Sequence, residues 1–166
     1  VITGLADAMI DSTPVVVIAG QVGTSALGTD AFQETDLVGM TAPIVKWAYQ
    51  IRRPEEIAWA VSRAYYIAGS GRPGPVVLDL TKDAQIGFAE YKPSKCDFIR
   101  SYVPSPKPSE DVLEKAAAMI DAAKKPFLVY GQGILISGAE KELEAFLDRT
   151  SIPAGSTLLG LSALKS

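Results

Sequence analysis

The chain has 166 residues, of which 48% are hydrophobic and 21% are charged, and its net charge at neutral pH is −3. This composition is typical of a globular protein with a substantial core, and the absence of a basic stripe gives no indication of a nucleic-acid partner. Histidine is absent from the chain, which excludes His-based catalytic triads and His-ligated zinc within it.

The location that the sequence favours is cytoplasmic. No apolar run approaches the roughly 20 residues that a membrane helix needs. The single cysteine, Cys96, allows no internal disulfide and fits a reducing compartment. We therefore expect no membrane association and no nucleic-acid partner.

The first half of the chain alternates helix and strand patterns. It opens on the amphipathic helix pattern "VITGLADAMIDST", and the β-branched run at 14–19 predicts a parallel strand buried on both faces. Further strands are predicted over 44–51 and 76–80. Between them, Pro54 followed by two glutamates marks the start of a helix.

The second half begins after a proline-rich stretch, 89–108, which is predicted to be an extended linker. A helix capped by Ser109 follows, and then a strand over 126–130 and a "GQGILISG" turn. Ser137 and Glu140 form the pattern of a capping box for another helix. A last strand is predicted over 152–159. The apolar face expected for the first of these helices consists of Val112, Ala116, Met119, Ile120 and Ala123.

The fold class predicted from these patterns is α/β, with parallel-sheet layers. Ligands bind at the carboxyl ends of parallel strands, and three segments follow strands here: 20–36, 81–85 and 131–133. On spacing alone, each polar residue in or near these segments is explained as well by an ordinary surface or turn position. The pattern therefore predicts loops suited to a phosphate-bearing cofactor and does not predict a reaction.

Five segments together resemble the catalytic large subunit of acetohydroxyacid synthase (acetolactate synthase): "TGLADAMIDSTPVVVIAGQV", "GTDAFQETD", "VKWAYQ", "SGRPGPVVLDLTKDAQ" and "KKPFLVYGQG". "SGRPGP" is shared by the wider superfamily of thiamine-diphosphate enzymes, whereas "GTDAFQE" points to the synthase. The resemblance implies a transferase (a carboligase) of branched-chain amino-acid biosynthesis. Such an enzyme decarboxylates pyruvate on thiamine diphosphate and condenses the product with a second 2-oxoacid.

The resemblance also implies a domain plan and cofactors. Residues 1–88 would be the C-terminal half of the pyrimidine-binding domain, 89–108 the linker, and 109–166 the N-terminal part of a central, Rossmann-like domain of the FAD or dinucleotide type. The full subunit would use thiamine diphosphate, Mg²⁺ and FAD, act on small-molecule 2-oxoacids, and form a homodimer or tetramer that can carry a regulatory small subunit.

Site residues follow from the resemblance position by position. The cofactor-binding residues would be Gln33 beside the thiamine, Arg72 near the flavin, and the flavin-contacting Gly131, Gln132, Gly133, Thr157 and Leu158. Ser12 is a weaker flavin neighbour. The substrate channel would be lined by Gly23, Ala31, Phe32, Lys46 and Lys82. Two positions depart from the family: Gly23 stands where many members have proline, and Gln132 replaces a glycine of the flavin turn.

The resemblance places the family's catalytic glutamate before Val1 and its metal-and-diphosphate motif after Ser166. We therefore expect an internal fragment with no catalytic residue and no metal ligand, inactive alone and unable to hold thiamine diphosphate or FAD tightly. Two alternatives stay open. One is another thiamine-diphosphate carboligase or oxidase, such as glyoxylate carboligase, and the other is a non-catalytic α/β binding module.

Overall fold

The computed structural model describes residues 1–164, which divide into two compact units, Val1–Pro106 and Lys107 onward. The first unit contains a parallel sheet of β1 (Val16–Gln21), β2 (Trp47–Ile51) and β3 (Val76–Thr81), in the order β1–β3–β2. Its helices are α1 (Ile2–Ile10), α2 (Leu37–Thr41), α3 (Ile57–Gly69) and α4 (Lys82–Ile86). Short 3₁₀ turns lie at Thr24–Ala26, Ala42–Ile44 and Pro54–Glu56.

The central strand β3 forms the core of this unit. Successive side chains of a strand point to opposite faces, so Val76 and Leu78 pack toward α3 while Val77 packs with Leu5 of α1. All three β3 side chains are fully buried. Coverage of both faces explains the continuous apolar run in β3 and confirms the prediction of a buried parallel strand there. The same prediction for the first strand was wrong, because β1 lies at the edge of the sheet and Ile18 is 57% exposed.

The second unit is smaller and less covered. It contains α5 (Glu110–Ala122), β4 (Leu128–Tyr130), α6 (Gly133–Ser137), α7 (Glu140–Thr150) and β5 (Ala154–Ser156), with a 3₁₀ segment at Leu158–Ala163. The two strands pair in parallel. No residue of α5 is buried within the described chain, so its predicted inward face is exposed. Two three-residue strands offer too little sheet surface to cover a 13-residue helix.

Several local predictions were wrong. The strand predicted from 44 begins only at Trp47, because residues 42–44, which include a proline, form a 3₁₀ turn. The stretch predicted as a turn after β4 contains helix α6. Ser137 ends that helix and donates back to the Gly133 carbonyl oxygen at 2.7 Å, so it forms no capping box. The last strand is limited to β5.

The predicted linker is not free of the first unit. Residues 89–106 contain no helix or strand, yet the Tyr102 hydroxyl donates to the Ser70 carbonyl oxygen at 3.1 Å. Ile99 packs against the core of α3 and β3. In residues 1–164, none of the helices combines the length and the hydropathy of a membrane span.

Candidate functional site

The first candidate residues lie at the carboxyl edge of the first sheet, at the ends of β1 and β3. The loop 22–36 follows β1 and α4 follows β3 directly, with Thr81 capping α4 by accepting from the Ala84 amide at 3.4 Å. Asp83 of α4 accepts a hydrogen bond from the Thr24 backbone amide. Hydrogen bonding from Thr24 holds the pKa of the Asp83 carboxyl below its ordinary value. The start of the loop is therefore fastened to α4.

A β-turn over 31–34 presents the two most specific candidates. The Glu34 amide donates to the Ala31 carbonyl oxygen at 2.9 Å, which leaves Phe32 and Gln33 as the two central residues. Gln33 has a φ of 65°, in the left-handed region that is uncommon for residues other than glycine. The Phe32 ring is 89% exposed and Gln33 is also exposed. Both side chains are thus available to a ligand or to another surface.

The Glu34 carboxylate lies behind this turn. It accepts hydrogen bonds from the backbone amides of Gly28, of Thr29 at 3.2 Å and of Ala31 at 3.1 Å. These hydrogen bonds, that from Gly28 first, hold the pKa of Glu34 below its ordinary value. Sequence reasoning did not find this arrangement.

A second feature missed from the sequence is a buried polar network under the loop. Asp79 of β3 is fully buried, and its Oδ2 accepts from the amides of Gln50 at 2.7 Å and Gln21 at 3.3 Å. Gln21 also donates to the Thr35 carbonyl oxygen at 2.7 Å, which ties the end of the loop to the sheet. The one acidic residue in the apolar strand "VVLDL" was the available signal. A buried carboxylate needs such partners.

The network borders a cleft of about 710 Å³. Its polar lining includes Gln21, Gln50, Glu34 and Arg52, and the Arg52 Nε donates to the Gln50 Oε1 at 2.8 Å. The cleft therefore has preformed amide and guanidinium groups at the edge of the sheet where ligands of parallel α/β folds bind.

The channel candidates divide between the two edges of the sheet. Lys82, exposed at the first position of α4, lies at the carboxyl edge with Gly23, Ala31 and Phe32. A Cβ on Gly23 would lie 3.5 Å from both Asp83 carboxylate oxygens. These residues all belong to the loop 22–36 and the helix fastened to it.

Lys46 and Arg72 lie at the opposite, amino edge, because they precede β2 and β3. The Lys46 ammonium donates to the carbonyl oxygen of Ile67 and, at 2.6 Å, to that of Ser70. Lys46 thereby caps the C-terminal end of α3. The Arg72 guanidinium donates to the Ser12 hydroxyl and to the Ile10 carbonyl oxygen, each at 2.8 Å, at the end of α1. The structure therefore places Lys46, Arg72 and Ser12 at the edge of the sheet opposite the loop 22–36.

In the second unit, the flavin candidates lie after the two strands. Gly131 follows β4 and Thr157 follows β5, and the Thr157 amide donates to the Tyr130 carbonyl oxygen at 2.8 Å. Gln132 precedes α6 and Gly133 begins it. Leu158, 81% exposed, begins the final 3₁₀ segment.

The backbone around this pair of strand ends is closely packed. A Cβ on Gly131 would lie 2.9 Å from the Thr157 Oγ1. A Cβ on Gly160 would lie 2.7 Å from the Gly131 Cα. Gly160 thus belongs to the same closely packed group as Gly131 and Thr157, and sequence reasoning missed it. Gly133 has open space around it. Among residues 1–164, no group of three acidic or cysteine side chains is arranged to hold a metal.

The sequence of this chain is similar to those of known thiamine-pyrophosphate enzymes. A family model described as "Thiamine pyrophosphate enzyme, central domain" matches residues 113–166. The acetolactate synthase large subunit of Lactococcus lactis is 43% identical over 164 residues, which are 98% of this chain and 28% of that subunit. That of Corynebacterium glutamicum is 42% identical over 161 residues, which are 96% of this chain and 26% of that subunit.

A solved structure agrees with the fold. An X-ray structure of a protein assigned to the thiamin diphosphate-dependent enzymes, from Mycobacterium smegmatis, has a TM-score of 0.75 and 28% identity, and the match covers 95% of this chain and 30% of that one. The chain thus spans about 28% of the length of the curated relatives that it matches. Its sequence is similar to one section of the acetolactate synthase large subunits, and its residues 113–166 match the central domain of the thiamine-pyrophosphate enzymes.

Proposed function

We propose that the chain forms part of an acetolactate synthase large subunit. The full protein would decarboxylate pyruvate on thiamine diphosphate and condense the product with a second 2-oxoacid. The observation that carries this proposal is the turn 31–34, which presents Phe32 and Gln33 at the carboxyl edge of a parallel sheet. It lies on the same loop as Gly23, and the start of that loop is fastened to the helix that begins at Lys82. The similarity to acetolactate synthases over nearly the whole chain supports it.

Each residue of this edge suits a stated role. The Gln33 amide can donate and accept without charge, which fits contact with the thiamine. The exposed Phe32 ring and the small Ala31 would form an apolar wall of the substrate channel, with Gly23 at its rim. The Lys82 ammonium is exposed, and it would attract the carboxylate of a 2-oxoacid.

The second unit offers a backbone surface that fits a flavin. A Cβ on Gly160 would collide with the Gly131 backbone and a Cβ on Gly131 with the Thr157 side chain, while the space beside Gly133 is open. The open backbone at Gly133 allows close approach of a dinucleotide. Gly131, Gln132, Gly133, Thr157 and Leu158 would contact FAD. The family-model match to 113–166 supports assigning 109–166 to the central domain.

The remaining assignments concern the full protein. We place the Mg²⁺ ligands in the metal-and-diphosphate motif that the resemblance puts after Ser166. The geometry of Lys46 and Arg72 favours bracing of α3 and α1 over direct contact with substrate or flavin. We further propose a cytoplasmic homodimer or tetramer, with a regulatory small subunit as its additional partner.

Two exposed phenylalanines provide a matched test. Phe32 is 89% exposed on the turn and Phe88 is 99% exposed on the extended stretch after α4. In the full-length gene product, Phe32→Ala should lower kcat/KM for acetolactate formation by about tenfold, which corresponds to roughly 1.4 kcal/mol of transition-state stabilisation. Phe88→Ala should leave it unchanged. Equal kinetics for the two variants would contradict the proposed site.

A further inference from the structure

The loop 22–36 needs a specific support to keep its turn. Apart from the 3₁₀ turn Thr24–Ala26 it contains no helix or strand, and its exposed tip carries the Phe32 and Gln33 side chains. Gln33 adopts left-handed backbone, a conformation that costs a non-glycine residue about 1 kcal/mol or more unless the surroundings impose it. Something in the loop must therefore hold this conformation.

Glu34 provides that support through both its backbone and its side chain. Its amide donates to the Ala31 carbonyl oxygen at 2.9 Å, and its Oε2 accepts from the Ala31 amide at 3.1 Å. Ala31 and Glu34 are thus bonded in both directions, and they bracket the two presented residues. The carboxylate also binds the amides of Gly28 and Thr29, which extends the cradle over the segment before the turn.

Only an ionised carboxylate suits this cradle. Two oxygens that both accept can serve three converging N–H donors, whereas an amide has one accepting oxygen and an N–H₂ group that would face other donors. Hydrogen bonds to a charged acceptor are also stronger than neutral ones.

We propose that Glu34 is a positioning residue, whose carboxylate holds the 28–34 backbone so that Gln33 faces the thiamine and Phe32 faces the 2-oxoacid. This inference rests on the proposed function. Glu34 itself touches neither cofactor nor substrate, and acts through the two residues that precede it in the chain.

Three variants of the full-length gene product test it. Glu34→Gln keeps the size of the side chain and removes the second acceptor, Glu34→Asp keeps the carboxylate on a shorter stem, and Glu55→Gln neutralises an exposed acid of the same unit as a matched control. We expect Glu34→Gln to lower kcat about tenfold and to raise the half-saturating thiamine diphosphate concentration, in a protein that remains folded. Glu34→Asp should recover part of kcat, and Glu55→Gln should match the unchanged protein.

Backbone amide exchange separates this inference from the proposed function. Glu34→Gln should speed exchange at the Gly28, Thr29 and Ala31 amides, and Glu55→Gln should not. If the unchanged protein makes acetolactate and Glu34→Gln shows its kcat and thiamine diphosphate requirement, the positioning role is overturned. If the unchanged protein makes none, the proposed function fails, and the exchange rates then decide whether Glu34 holds the turn: equal rates in both variants would overturn this inference too.

Discussion

Replacing Lys46 by methionine tests whether this lysine acts as a helix cap. The Lys46 ammonium donates to the carbonyl oxygens of Ile67 and Ser70 and lies 3.4 Å from the Tyr102 hydroxyl. Lys82, the other lysine matched to the substrate channel, is exposed at the start of α4. Methionine keeps most of the apolar stem in both cases, so the pair of variants isolates the contribution of the ammonium.

The expected loss of stability follows from these contacts. A hydrogen bond from a charged donor contributes about 1.5–3 kcal/mol net, and a cation at a helix C-terminus adds about 0.3–1 kcal/mol. Because Lys46 is only half-buried, we take the lower end of both ranges. Two hydrogen bonds to carbonyl oxygens and one helix-end cation then give an expected loss of free energy of unfolding of roughly 3 kcal/mol for Lys46→Met. For a unit of this size, that would lower the melting temperature by about 12 °C or more. Lys82→Met should stay within about 0.5 kcal/mol of the unchanged chain.

Urea unfolding followed by tryptophan fluorescence measures this difference. Both tryptophans of the chain, Trp47 and Trp59, lie in the first unit, with ring centroids 6.0 Å apart and the Arg63 guanidinium over both rings. Their emission therefore reports the unfolding of the unit that contains Lys46. Free energies of unfolding for Lys46→Met and Lys82→Met that agree within about 0.5 kcal/mol would refute the assignment of Lys46 as a cap.

Three further predictions concern the strand-end loops. Gly23 has a φ of −62°, which suits proline, so Gly23→Pro should raise the free energy of unfolding in urea by about 0.4–1 kcal/mol, and a loss would show that the loop is strained by the ring. The folded-state pKa of Asp83 lies below its ordinary value of 3.8, so the contribution of its contact with Thr24 is present above pH 3.8 and is lost only as the pH falls through the lower folded value. Protection of the Thr24 amide in hydrogen exchange should therefore be lost over the same fall in pH, and in Asp83→Asn it should be weak at every pH. Equal protection in both proteins would contradict the role of the Asp83 carboxylate in holding the start of the loop. Gly160→Ala places a Cβ 2.7 Å from backbone and should destabilise the second unit by about 1–3 kcal/mol in circular-dichroism melting, whereas Gly133→Ala, with open space, should not; similar melts would contradict the close packing.

The sequence predicted the parts of the fold that depend on local patterns. The β-branched run of β1 and the apolar run of β3 identified two parallel strands, but only the central strand β3 is buried on both faces, as its continuous apolar sequence predicted. Pro54 with its following acids placed the start of the α3 segment within three residues of Ile57. The resemblance supplied the family, and the relatives confirm it.

The features that sequence reasoning missed depend on contacts distant in the chain or on backbone conformation. Lys46 caps a helix whose last carbonyl groups come 21 and 24 residues later, so no local pattern reveals its partners. The Glu34 cradle depends on backbone amides, which every residue but proline carries. The helix α5 has a clear apolar period, yet what covers that face cannot be deduced from periodicity.

The most direct test of the central claim is the formation of acetolactate from pyruvate by the full-length gene product. The account predicts product when thiamine diphosphate and Mg²⁺ are both present, and none when thiamine diphosphate is left out. FAD should be supplied in parallel samples, since the glycine turn of the second unit is proposed to contact it. The absence of acetolactate under every condition, from a protein shown to be folded, would contradict the assignment.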